Sequence, residues 1–176
     1  MDRETLIREL FRVEAIKFGE FVLKSGQTSS VYVDLRTALT FPDLLHSMSS
    51  MLLEITPITH DFIVGVPYTA WPLATCLSLL SKKPMLLRRK EVKSYGTQTG
   101  LHGNYKAGQC CLVIEDVVTT GSSVLETIQD LESCGLIVHD VICFLDRQQG
   151  ASEYLSSKGY RLHSAMTLEE VLNAHQ

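Results

Sequence analysis

The sequence predicts an α/β protein, a central mostly parallel sheet flanked by helices on both faces, from three observations. Apolar runs such as DFIVGV, CCLVIED and LIVHDVICFLD are nearly unbroken, as in strands buried on both sides. They alternate with segments whose apolar residues recur at helical spacing. The unusual polar stretches, GVPYTAWP, RRK, EDVVTTGSS and DRQQG, follow the apolar runs directly. That is the carboxyl end of each strand, where open α/β sheets bind ligands. The 176 residues read as one domain over 1–176, without repeat, linker or low-complexity tract.

Each element can be justified in turn. Residues 2–13 put Leu6, Ile7, Leu10 and Phe11 on one helical face. Phe18–Leu23 and Ser29–Leu35 read as extended, with KSGQT turning between them. In FPDLLHSMSSMLLEI, the stripe Leu44, Leu45, Met48, Met51, Leu52 and Ile55 is a core face. DFIVGV is a strand, AWPLATCLSLL a helix and PMLLR a strand. CCLVIED is a strand ending in two acids, and SSVLETIQDLESCG a helix closed by Gly135. LIVHDVICFLD is a strand with a short helix near Ala151–Lys158 after it. YRLHSA is the last strand and TLEEVLNA the last helix, with Thr167 as N-cap and Glu170 three residues on.

Composition narrows the function. With 45% hydrophobic and 20% charged residues the chain suits a soluble globular core. A net charge of −4 provides no basic field for nucleic acid, so an anion site must be local. No apolar stretch reaches membrane-spanning length and the N-terminus MDRETLIREL has no signal core. Five cysteines without a CxxC pair read as buried thiols of a reducing compartment, so the expected location is cytoplasmic.

The strongest local signal is LVIEDVVTTGSSVLETI. Neighbouring side chains of an extended chain face opposite ways. Glu115 and Asp116 can therefore engage two ribose hydroxyls, or one hydroxyl and a hydrated metal ion. Thr119 to Ser123 then enter a helix, whose first amides and dipole favour an anion. Gly121 permits close backbone approach. Acids followed by such a cradle suit a sugar carrying a terminal phosphate. For an acid pair alone, ordinary helix capping would be the alternative. No GxxxxGK[ST] is present, which excludes the P-loop way of holding a nucleotide.

A second signal is LLRRKEVKSYGTQTGLHGNYKAG, where Arg88, Arg89, Lys90 and Lys93 fall within six positions beside one acid, Glu91. Glycines and polar residues follow, so about 90–106 reads as a mobile loop with a cationic root. The alternative is a solvated charge run. A basic loop near a phosphate site suits a diphosphate leaving group, neutralising it and excluding water.

The run ending at Ser122 resembles the donor signature of type I phosphoribosyltransferases: four apolar residues, two acids, two apolar residues, Thr, a small residue, Gly and Ser. IKFGEFVLKSGQTSSVYVDLR, GVPYTAWPLA, RRKEVKSYGT, IEDVVTTGSSVLET and FLDRQQG occur in order. Together they resemble the orotate phosphoribosyltransferase family over about Ile16–Leu168, in particular the form fused to a decarboxylase in animals. The resemblance implies that family's fold, with a small hood from the N- and C-terminal segments, and transfer of ribose 5-phosphate from 5-phosphoribosyl 1-diphosphate (PRPP) to orotate with Mg2+. It implies that Lys24, Lys93, Glu115 and Asp116 serve catalysis. PRPP would be held by Lys24, Tyr68, Thr69, Arg89, Lys90, Lys93 and Tyr95, and by Glu115, Asp116, Val117, Val118, Thr119, Thr120, Gly121, Ser122 and Ser123. Orotate would meet Lys24, Tyr32, Val33, Thr119 and Arg147, the last a guanidinium fork for its carboxylate. Pairing of Arg147 with neighbouring Asp146 is the alternative. Val33 stands where a second aromatic is common, Thr69 where bacterial members often have Lys, and Tyr95 where they often have His. A homodimer exchanging loops is implied, with no nucleic acid or membrane partner. Two rivals remain: a regulator that binds the donor without turnover, and transfer to a different base.

Overall fold

Strand order explains where the site falls. The computed structural model describes residues 1–22, 28–90 and 100–174. Its main sheet holds β3 (Phe62–Gly65), β4 (Met85–Arg88), β5 (Leu101–His102), β6 (Cys110–Val118), β7 (Ile137–Asp146) and β8 (Arg161–Thr167). They follow β1 (Ile16–Val22) and β2 (Thr28–Val33), which form a separate antiparallel hairpin with Ile16 opposite Val33. The sheet order is β5-β4-β3-β6-β7-β8, all parallel except β5. The mostly parallel sheet is thus as the apolar runs predict.

The helices are α1 (Arg3–Arg12), α2 (Pro42–Glu54), α3 (Ala70–Ser81), α4 (Ser122–Ser133), α5 (Ala151–Ser157) and α6 (Leu168–Ala174). From β3 the chain crosses through α3 to β4; from β6 it crosses through α4 to β7. These crossovers run in opposite directions from adjacent strands and so lie on opposite faces, making the β3–β6 border a switch point. Two cores result. Leu73, Ala74 and Leu77 of α3 pack with Leu44, Met48 and Leu52 of α2 and with Leu6, Ile7 and Leu10 of α1. Val124, Ile128 and Leu131 of α4 pack with Ala151 and Leu155 of α5 on the other face.

Local chemistry sets the helix ends. The Asp2 side chain accepts from Thr5 N at 2.8 Å to begin α1. Pro42 opens α2, where a missing N–H costs nothing. Gly135, at φ +80°, ends α4, while Leu136 N donates back to Leu131 O at 3.1 Å. Before α6, Thr167 N donates to Glu170 Oε2 at 2.7 Å and Glu170 N to Thr167 Oγ1 at 3.2 Å, the reciprocal box expected there. Arg3 Nη1 reaches Glu170 Oε2 at 3.5 Å, so the two chain ends meet.

Two features depart from the sequence reading. Strand β6 does not stop at the acids: Val117 pairs with Leu145 and Val118 with Asp146. A partner strand of equal reach carries the ladder through a polar stretch. Within the expected loop over 90–106, Leu101 and His102 pair antiparallel with Arg88 and Leu87. The loop is therefore closed at its neck, and its residues 91–99 lie outside the described residues. All five cysteines are free. Burial raises Cys143 and pushes Cys111 up to about 12, leaving both unreactive. No described helix is long and apolar enough to cross a membrane.

Candidate active site

The carboxyl end of β6 outruns β3, since Gly65 is already opposite Ile114. Glu115 and Val117 through Val124 line a small open cleft of about 50 Å³ at this point. Gly121, at φ +83°, is the residue from which α4 starts, and a Cβ there would lie 3.3 Å from Leu155 Cγ. Glycine is therefore favoured by the backbone conformation, and a Cβ would also press on the Leu155 side chain. No side chain caps α4; Thr120 Oγ1 and Ser122 Oγ instead bond each other at 3.0 Å. The hydroxyls of Thr119, Thr120, Ser122 and Ser123 stand exposed around amides at the positive end of the helix. This brings together the residues that the sequence assigned to the phosphate.

The acids behave differently. Glu115 is 7% exposed and lines the cleft; Asp116 is half-buried and projects to the opposite side of the strand. Asp116 N donates to Glu115 Oε1 at 3.1 Å. Neither carboxylate has an ion-pair partner among the described residues. Burial raises the Glu115 pKa well above the carboxyl range and the Asp116 charge adds to this. Asp116 is raised as well, by burial first, with the charge of Asp34 contributing.

Arg147 is 8% exposed. It is not part of a surface pair with Asp146, whose Oδ1 accepts from Gln148 N at 2.7 Å. Its Nη2 makes long bonds to Ser29 Oγ at 3.3 Å and Val31 O at 3.4 Å, and its buried Nε has no partner. Burial draws its pKa below the usual guanidinium value. Burial of a cation with so few partners is costly, and its free donors suit an anion. The contacts to Ser29 and Val31 also bring the hairpin over the carboxyl end of β7.

On that hairpin Tyr32 stacks on Phe21, with centroids 5.2 Å apart and planes at 30°. Val33 instead packs against the core. Phe21 thus places a second ring beside Tyr32, which the sequence reading missed because the contact crosses the hairpin past a register shift. Asp34 was also missed: Arg36 holds it in a fork at 2.7 and 2.6 Å, keeping its pKa below the ordinary range. Tyr68 is exposed and meets Trp71 edge-to-face at 5.1 Å, and Thr69 immediately precedes α3 with no capping bond from its side chain. Arg89 and Lys90 are exposed at the loop neck, where Arg89 N donates to Gly100 O at 2.7 Å. Lys24, Lys93 and Tyr95 lie outside the described residues. Arg88, read from the sequence as one of four loop cations, is buried against α4.

An acid pair and a hydroxyl-rimmed phosphate cradle at the switch point define a phosphoribosyltransferase, and the phosphoribosyl transferase domain matches residues 43–159. Uridine 5'-monophosphate synthase of Bos taurus is 47% identical over 171 residues, which are 96% of this chain but 36% of that protein. Orotate phosphoribosyltransferase of Chlamydia caviae is 40% identical over 175 residues, covering 98% of this chain and 85% of its own length. The crystal structure of orotate phosphoribosyltransferase from Aeropyrum pernix superposes with a TM-score of 0.85 at 34% identity, over 96% of both chains. The chain belongs to the orotate phosphoribosyltransferase family.

Proposed function

We propose that the chain transfers ribose 5-phosphate from PRPP to N1 of orotate, giving orotidine 5'-phosphate and diphosphate for pyrimidine synthesis. The observation that carries this reading is Arg147, a buried guanidinium with an unpartnered Nε whose backbone N donates to Val118 O at 3.0 Å, between the acid pair and the phosphate cradle in the chain. Thr119–Ser123 hold the 5-phosphate, and Glu115 and Asp116 the ribose diol. The anomeric carbon then lies between diphosphate, gripped by Arg89, Lys90, Lys93 and Lys24, and orotate, oriented by Arg147 and the Phe21–Tyr32 platform. The C1–O bond to diphosphate breaks, a C1–N1 bond forms, and the N1 proton passes to the departing diphosphate or to water. The departing diphosphate is itself basic, so the site needs orientation, charge neutralisation and exclusion of bulk water rather than a strong protein base.

The acid pair also fits Mg2+. Two carboxylates free of basic partners among the described residues match an ion that takes one or two carboxylates, retains water and completes its shell with phosphates. No described cluster of three or more His, Cys, Asp or Glu would hold the ion by itself. Mg2+ bound with the donor supplies charge neutralisation for the departing diphosphate. The free cysteines support a cytoplasmic location.

Loss of orotate absorbance with PRPP and Mg2+ tests the reaction. Turnover of orotate, and none of adenine, guanine or xanthine, is the expected result. Turnover of a purine instead, or donor binding without any turnover, would replace the proposal by one of the two rivals.

We further propose a homodimer in which Arg89 and Lys90 at the neck serve their own chain's site while Lys93, beyond the neck, completes the neighbouring one. An apolar groove of about 520 Å³ between α2 and α3, lined by Leu45, Tyr68, Trp71 and Leu79 among others, has the character of a subunit contact. Mixing inactive Lys93→Ala and Asp116→Ala subunits is expected to restore partial activity, because one of the two sites would then be intact. No recovery in verified mixed dimers would count against loop exchange.

A further inference from the structure

Arg88 occupies the junction between two parts of the site that grip opposite ends of the donor. It ends β4, directly before Arg89 and Lys90, yet its side chain is only 4% exposed. The pleat explains this. Leu86, two residues earlier, points to the same side and is buried in the α4 core. Arg88 follows it toward α4, while Leu87 and Arg89 are exposed.

On α4 all three guanidinium nitrogens have partners. Nε donates to Asp130 Oδ2 at 2.7 Å, Nη2 to Glu126 Oε1 at 2.9 Å and Nη1 to Thr127 Oγ1 at 3.2 Å. Thr127 Oγ1 in turn donates to Ser123 O at 3.0 Å, in the first turn of the phosphate cradle. On the other side, the pairing of Arg88 with Leu101 and the bond from Arg89 N to Gly100 O close the loop neck. One side chain therefore ties the neck that carries Arg89 and Lys90 to the helix that carries the cradle.

We propose that Arg88 is a positioning residue that fixes the spacing between the diphosphate cations and the 5-phosphate cradle. The inference rests on the donor assignment made above. PRPP must be gripped at both ends at once, and the second grip is strong only when the spacing is right. Ligands that use one end alone do not sense that spacing. A clamp serving only the fold would move all ligands together, or none.

The test uses the intact protein and calorimetric titration with PRPP and Mg2+, with ribose 5-phosphate, and with inorganic diphosphate. In Arg88→Met, PRPP affinity is expected to fall about tenfold or more, with each fragment within about twofold of wild type. Thr127→Val keeps both ion pairs and cuts only the relay to Ser123; it should shift PRPP in the same direction by less, and it decides the matter if Arg88→Met does not fold. Unchanged PRPP affinity in Thr127→Val and Arg88→Met, or equal weakening of all three ligands, would overturn the inference. Failure of the wild-type protein to bind PRPP would overturn the donor assignment itself, and is seen before any variant is made.

Discussion

Glu115→Gln is expected to give a protein that is more stable without substrate and much less active. The carboxyl is buried beside Asp116 and has no cationic partner among the described residues, so its folded pKa is raised. In the unfolded chain a Glu titrates near about 4.3. Between that value and the higher folded one, the folded state holds more protons than the unfolded state. Stability therefore falls as pH rises through this window, and above the folded pKa the wild-type fold carries the full cost of ionising Glu115. Gln removes it. A gain of roughly 1 kcal/mol, or about 2–4 °C in melting temperature, is reasonable for a chain of this size at pH 8. The advantage should vanish as pH falls below about 4. Saturating PRPP with Mg2+ should reverse the order, because the ionised pair then has the partners it lacks. Loss of a charge-assisted bond to a ribose hydroxyl should lower kcat/KM by about tenfold to a hundredfold. Melting curves across pH, with and without donor, check both halves. A variant less stable than wild type at pH 8 would show that Glu115 serves the fold, not the ligand.

The same separation, between groups the fold satisfies and groups it leaves unsatisfied, explains what could be read from the sequence. Residues whose neighbours are local were legible. The Thr167–Glu170 box, the Gly135 stop and the Met48 core stripe each follow from spacing within one element. The cradle was legible because strand, acids, hydroxyls and glycine are contiguous. Features decided by another strand were not. Strand β6 continues to Val118 only because β7 lies alongside it to Asp146, and the two residues of β5 become a strand only by pairing with β4. Arg88 belongs to this second group. A charge run does not say which cations turn inward, although two clues were present. Leu86 fixes the buried side of the pleat. Glu126 and Asp130 stand one turn apart on α4, a repulsive pair until a cation comes between them. Phe21 was missed for the same reason, since its partnership with Tyr32 crosses the hairpin.

Arg147 should produce the sharpest loss of acceptor binding. It is a cation held in the protein with two long hydrogen bonds and an idle Nε, whereas Arg88, equally buried, has two carboxylates and a hydroxyl. The contrast is in their partners: Arg88 is satisfied by the fold, whereas Arg147 keeps an Nε without a partner, which supports its proposed role toward the acceptor. Orotate differs from uracil by one carboxylate, which is the group a guanidinium fork pairs with best. Arg147→Met should raise the KM for orotate by about a hundredfold, the cost of leaving a carboxylate desolvated without its partner. PRPP affinity should stay within about twofold, since Arg147 lies outside the cleft formed by Glu115 and Val117–Val124. Arg147→Lys should recover only part of the loss, because a point charge does not reproduce the fork. The decisive comparison is orotate against uracil as acceptor. Wild type should discriminate strongly, and Arg147→Met should lose most of that discrimination by losing orotate rather than gaining uracil. Removal of this cation should leave the unliganded melting temperature unchanged or higher, since no described acid depends on it. A variant that kept its preference for orotate would move the carboxylate site elsewhere in the hairpin, and with it the reading of Arg147 as the residue that selects the base.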